Sequence, residues 1–195
     1  MNTTGKIDRR VKRSQQLLGD ALLTLILNKG YDAVTIRDIT QQADVAYVTF
    51  FRHYDSIDDL LQRRLEDELK DLRERIEAAA RESQAGQGDT LAGQMIFEHA
   101  RDHRALFQVL LSSQGALQAR KHVHSTIASI FLDSCRPLHE SRLVPAEVAA
   151  NHMAAALLSL IEWWLDNGMA YPTDHMARIY DRLVISATIS AVLAK

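Results

Sequence analysis

Apolar residues along the chain recur at helical intervals almost from end to end. Leu18, Ala21, Leu22, Leu25 and Ile26 predict a first helix from near Asp8 to Asn28-Lys29-Gly30, where glycine supplies a left-handed terminal residue. Thr35 and Asp38 stand three apart as a capping box in front of Ile36, Ile39 and Ala43, predicting a short helix over 35–43. Asp44-Val45 interrupts it, and Val48, Phe50, Phe51 and Tyr54 predict a third helix over 46–54. Asp55-Ser56 caps a long fourth helix through Leu60, Leu61, Leu65, Leu69, Leu72 and Ile76 to about Arg81, its remaining positions filled with charge. Ser83 to Asp89 reads as a loop, Thr90 to Ser112 as helix broken near Asp102, and Ala116 to Arg136 as helix ended by Pro137. Pro145 to Asn167 and Pro172 to about Leu193 complete about nine helices, with no strand and no internal repeat: an all-α chain.

The last two helices differ from the others. Over 145–167, Ala149, Met153, Ala156, Leu160 and Trp164 line one side while Val148, Ala155, Leu158, Ile161 and Trp163 fill most of the rest. The final helix, with Ile179, Leu183, Val184, Ile185, Ile189 and Val192, is nearly as apolar. A helix apolar on nearly all sides is buried on all sides. In a chain of 195 residues this suggests packing against a second copy in an intermolecular four-helix bundle, with Leu160, Trp164, Leu183 and Ile189 as the dimerisation residues.

Composition narrows the class without changing the fold. An apolar fraction of 47% and a charged fraction of 25%, with eight Gly and three Pro, are globular values. Cys135 is the single cysteine, so no internal disulfide or CxxC site is possible, and a reducing cytoplasm is expected. The first thirteen residues are polar and basic, unlike a secretory signal. The most apolar run, Met153 to Leu165, contains Glu162 and falls short of the roughly 20 residues a membrane span needs, so no membrane partner is expected.

Charge is distributed unevenly. The net is −2, yet residues 1–56 hold eight Lys+Arg against six Asp+Glu, and residues 57–195 hold 15 against 19. Lys6, Arg9, Arg10, Lys12 and Arg13 form a basic arm, either a solvated helix start or a contact to phosphates. Two short helices joined by a tight turn, 35–43 and 46–54, have the dimensions of a helix-turn-helix, whose second helix lies in the major groove.

The strings Tyr31-Asp32-Ala33-Val34-Thr35-Ile36-Arg37-Asp38-Ile39, Ala43-Asp44-Val45-Ala46 and Thr49 to Leu61 resemble the DNA-binding region of the TetR family of transcriptional regulators, motif by motif over about residues 8–62. The resemblance implies a three-helix DNA-binding domain over 1–56 and a larger helical domain over 57–195 that binds an inducer and dimerises. It implies a repressor released from its operator by a small molecule; dimer symmetry makes that operator palindromic, and the absence of a catalytic motif makes the cytoplasmic regulator a non-enzyme. Carried over by position, Thr35 and Arg37 touch DNA from the second helix. Tyr47, Val48 and Thr49 present the base-reading start of the third, and Phe51, Arg52 and His53 lie toward the phosphates at its end. Phe50 and Tyr54 read as core.

Four positions depart from the family pattern. Asp44 stands where glycine is usual, Ala46 where a Ser or Thr cap is usual, Phe51 where Tyr is common, and Ile57 where Lys is common. Each lost phosphate contact lowers the salt-dependent part of DNA affinity. Asp44, Phe51 and Ile57 thus keep a second reading open: a helical module for a small molecule or protein partner whose helix-turn-helix no longer binds DNA.

Other chemistry is thinly represented. His99 and His103 are four apart and His122 and His124 two apart, but no Cys lies near and no HExxH pattern exists, so the sequence assigns no metal and no cofactor. No phosphate-cradling glycine loop or nucleophile motif is present. Phe97, Phe107, Phe131, Met95 and Met153, with Trp163 or Trp164, either line a ligand cavity or form plain core. Glu162 either faces a cationic ligand or points to solvent.

Overall fold

The first helix closes where its sequence stops supporting it: α1 spans Thr4–Lys29, and Gly30 follows with φ +84°, a left-handed conformation that costs glycine nothing. The computed structural model describes residues 4–82, 88–112, 116–135 and 144–193. The side chains of Lys6, Arg9 and Cys135, most of the predicted loop at 83–89, and Pro137 lie outside the described residues.

After a single 3-10 turn at Tyr31–Ala33 come α2 (Ile36–Gln42) and α3 (Tyr47–Phe51). The long α4 (Ile57–Glu82) follows, then α5 (Gly88–Asp102) and α6 (Arg104–Ser112), which break at His103 as expected near Asp102. Helices α7 (Leu117–Cys135) and α8 (Ala146–Asp166) pack on one another. The last helix is not regular. It runs as α9 (Thr173–Tyr180), a π-helical turn (Asp181–Ile185) and α10 (Ser186–Leu193). Among the described residues there is no strand, and the all-α expectation holds.

One continuous apolar cluster runs from Leu18, Leu22 and Ile26 of α1 through Ile39, Phe50 and Tyr54 to Phe97, Ile161, Trp164 and Tyr180. Helix α4 carries the connection. Its start is capped by Ser56, whose hydroxyl accepts from the Asp59 amide at 3.1 Å while the Asp59 carboxylate accepts from the Asp55 amide at 3.0 Å. Further on, Leu60, Leu61, Leu65 and Leu72 are buried while its other face pairs Arg63 with Asp59 and Arg73 with Glu77.

Helix α8 is, at 21 residues, long and apolar enough by length and composition to cross a bilayer, longer than the 13-residue run suggests. Ten of its residues are buried within the fold, while Val148 and Trp163 stay exposed, so packing within the chain accounts for about half of its surface. On α5, a Cβ at Gly93 would stand 3.3 Å from the Ala177 Cβ, so the missing side chain lets α9 approach α5 closely.

Candidate DNA-reading surface and ligand cavity

The local chemistry of residues 29–59 explains how three short segments hold a reading surface. Thr35 caps α2 with a full capping box: its Oγ1 accepts from the Asp38 amide at 3.2 Å, and Asp38 Oδ2 accepts from the Thr35 amide at 2.9 Å. The same carboxylate receives Lys29 Nζ at 2.7 Å, tying α2 to the end of α1. Lys29 and the Thr35 hydroxyl hold the Asp38 carboxyl down at about 2, so it stays ionised throughout the physiological range. The Tyr31 hydroxyl donates to Asp58 of α4, a second clasp that no local sequence pattern announces.

The turn between α2 and α3 places Asp44 at φ +52°, the left-handed conformation its position requires. Ala46 precedes α3 with no side-chain cap, and its carbonyl accepts from the Thr49 amide at 2.8 Å. The His53 and Tyr54 amides both donate to Phe50 O, closing the helix early. Helix α3 is therefore five residues long, shorter than the predicted 46–54, because its start lacks a cap and its end tightens.

Phe50 and Tyr54 are buried, as expected, with ring centroids 5.7 Å apart. Facing away from them, Tyr47 is 52% exposed and Val48 56%, and Thr49 is half-buried beside them. Phe51 is exposed and packs edge-on between Tyr47 and Phe50, both centroids at 5.4 Å. Thr35, Arg37 and Arg52 are exposed, His53 is half-buried, and neither arginine enters an ion pair among the described residues. All eight sequence-nominated positions thus belong to the two short helices and their flanks. A carboxylate at Asp44 is exposed in the same turn.

Replacing Asp44 by glycine is expected to raise stability by about 1 kcal/mol by relieving the left-handed backbone. It should also tighten binding to non-specific DNA by removing a negative charge near phosphate. Denaturant midpoints and fluorescence anisotropy check the two effects, and a lowered midpoint would mean the Asp44 side chain stabilises the turn.

Beyond α4, a cavity of about 400 Å³ opens between α4, α5, α6, α7 and α8. Its walls are apolar, from Leu69, Leu72 and Ile76 of α4 to Ile127 and Phe131 of α7, with Phe107 of α6 and Leu157 and Ile161 of α8. At its rim the guanidinium of Arg73 is bonded to Glu77 at 2.7 Å, close to Asp133. Of the aromatic and sulfur residues nominated from sequence, Phe107 and Phe131 line this cavity.

The other nominations do not. Phe97 is wholly buried, edge-on to Trp164 at 5.6 Å, and Met153 is buried with its carbonyl accepting from Tyr180. Trp163 is 47% exposed and stacks on Tyr171, and Met95 is half-buried off the cavity wall. Trp164, nominated for dimerisation, is 1% exposed within the single chain, so it cannot reach a second copy. Leu160 and Ile189 are half-buried, and Leu183, at 65% exposure, is open. Glu162 receives Arg120 Nη2 at 3.1 Å and is therefore already paired. Most of the cavity wall is aliphatic, and aliphatic residues at helical spacing carry no signal that separates a cavity wall from plain core.

Comparison with known proteins places both halves of the chain. Residues 18–63 match the family described as bacterial regulatory proteins, tetR family, and residues 93–186 match a transcriptional regulator C-terminal region of the same family. The chain is 24% identical over 174 residues to YxbF of Bacillus subtilis (strain 168), an uncharacterized HTH-type transcriptional regulator. That match takes in 89% of this chain and 45% of the relative, so the chain spans less than half the relative's length. Its fold is similar to that of a protein from Syntrophomonas wolfei assigned to the TetR family, with TM-score 0.77 and 18% identity over 91% of this chain and 96% of the other. It is also similar to that of the transcriptional regulator FadR from Bacillus subtilis in complex with stearoyl-CoA, with TM-score 0.64 and 15% identity over 92% and 97%.

Proposed function

Because the chain belongs to the TetR family of bacterial transcriptional regulators, we propose that it acts as a homodimeric, cytoplasmic repressor that leaves a palindromic operator when a small molecule fills its cavity. Residues 1–56 are the DNA-reading part and residues 57–195 the regulatory part. The observation that carries this reading is the split character of α3: Phe50 seals the core while Tyr47 and Val48, a large aromatic and a branched aliphatic, are held in solvent. A chain gains no stability from exposing them, whereas base edges and thymine methyls in a major groove would cover them.

Arg37, Thr49 and Arg52 supply direct contacts, Thr35, Phe51 and His53 flank the phosphates, and the two half-sites lie about one helical turn, roughly 34 to 36 Å, or a multiple of it apart. The inducer is an apolar molecule. A cavity of about 400 Å³ with aliphatic and phenyl walls is in the usual range for small ligands, and the Arg73–Glu77 pair offers a polar handle at the rim. The action is binding rather than catalysis.

Selection of bound duplexes from a random DNA pool, at low and moderate salt, tests the reading. A palindrome should be enriched, and Arg37→Ala and Thr49→Ala should weaken or relax its recognition while the chain still dimerises. No enrichment even at low salt would overturn it in favour of a partner-binding module that has lost DNA contact, the reading to which the exposed Asp44 carboxylate points.

A further inference from the structure

We propose that Glu68, His99 and His103 form a divalent transition-metal site, with zinc as its first occupant, at the junction of α4, α5 and α6. The sequence offers only an i, i+4 histidine pair. Folding brings a third donor to it from α4, 31 residues upstream of His99.

One carboxylate oxygen, Glu68 Oε2, lies 3.5 Å from His99 Nε2 and 3.3 Å from His103 Nδ1, and all three ligand atoms fall within 4.8 Å of one another. These separations exceed the roughly 2.9–3.0 Å of an N–H···O hydrogen bond. They match the spacing of donors around tetrahedral zinc, where Zn–N and Zn–O bonds of about 2.0–2.2 Å set donor atoms some 3.3–3.5 Å apart. The two imidazoles lie side by side next to the carboxylate. Their ring centroids are already 4.3 Å apart, with planes 30° from parallel.

The surroundings suit a metal better than they suit the side chains alone. Glu68 is buried and His99 is 2% exposed, so both donors are largely withdrawn from competing water. The other Glu68 oxygen, Oε1, accepts from Arg64, an outer partner of the kind that orients ligating carboxylates. Around His99, Asp71 and Asp102 offset the guanidinium charge of Arg75. Two imidazoles and one carboxylate form the donor set that suits zinc and its neighbours, with a fourth position left for water or an incoming group.

The site would bridge the two functional regions. Phe107 meets the His99 ring edge-on at 6.0 Å and also lines the cavity. On the other side Arg64 lies against α1, where a Cβ at Gly19 would stand 3.2 Å from its Cδ.

The test is titration of zinc chloride into full-length protein stripped with a chelator, in competition with a chromophoric chelator. One equivalent per chain is expected. His103→Ala should weaken uptake by more than about 100-fold, beyond the loss typical of an outer-shell partner, and Glu68→Gln should do the same. His122→Ala should leave uptake unchanged, although His122 pairs with Glu66 at 2.9 Å on the surface. His103 is partly exposed, so its variant will fold even where a Glu68 variant does not. Absence of stoichiometric uptake, uptake retained in His103→Ala, or uptake lost in His122→Ala would each overturn the assignment.

Discussion

Replacing Leu183 by glutamate will give a folded helical chain that sediments as a monomer and binds its operator about 100- to 10,000-fold more weakly than the parent, the gain that linking two half-site contacts supplies. Leu183 is the most exposed large apolar residue among the described residues, at 65%. It leads a line of exposed small residues four apart, Ala187 and Ala191, on α10. Helix α8 carries a matching exposed line, Val148, His152, Ala155, Ser159 and Trp163. Two such faces, with small side chains that permit close approach, would complete a four-helix bundle with a second copy. An interface built on a two-fold axis uses the same patch twice, so one glutamate enters it from both sides. Sedimentation of the variant as a dimer at the parent's concentration would remove Leu183 from the interface.

The second large effect is internal. Trp164→Ala should cost about 3–5 kcal/mol of stability, because the indole fills the core edge-on to Phe97 and its Nε1 donates to Tyr171 O at 2.8 Å. Trp163→Ala, one residue away, should change the stability of the single chain by no more than about 0.5 kcal/mol. Its ring lies half in solvent against Tyr171. Denaturant unfolding of the two variants side by side measures the difference, and equal losses would mean that both rings are core.

That pair of tryptophans shows where the sequence stops being informative. Successive residues on a helix point about 100° apart, and a helix apolar on nearly every side carries no polar face to set its phase. The sequence therefore offers Trp163 or Trp164 to a ligand cavity and Trp164 to a partner, whereas the fold buries Trp164 in the core and leaves Trp163 half in solvent. Where one face is charged, as along α4, or where caps and turns are chemically distinct, as at Thr35, Asp38 and Asp44, the reading was close. Phe50 and Tyr54 fell in the core and Tyr47 and Val48 outside it for the same reason: short helices with mixed faces have a defined phase. What could not be read were contacts between distant segments. Tyr31 with Asp58, Arg120 with Glu162, and Glu68 with the two histidines are set by how helices cross, and no local spacing encodes them.

The π turn at Asp181–Ile185 has a consequence for the phase of the last helix. Met176, Tyr180, Val184, Thr188 and Val192 are all buried, and they stand four residues apart. On a regular α-helix such a line winds around the axis by about 40° at each step, so its two ends would face nearly opposite directions. A wider turn in the middle rotates the chain less per residue and takes back part of that drift. The buried line thereby stays against the core from end to end. In the proposed dimer the wider turn would set the phase at which two copies meet along this helix, and with it the spacing of the two reading heads.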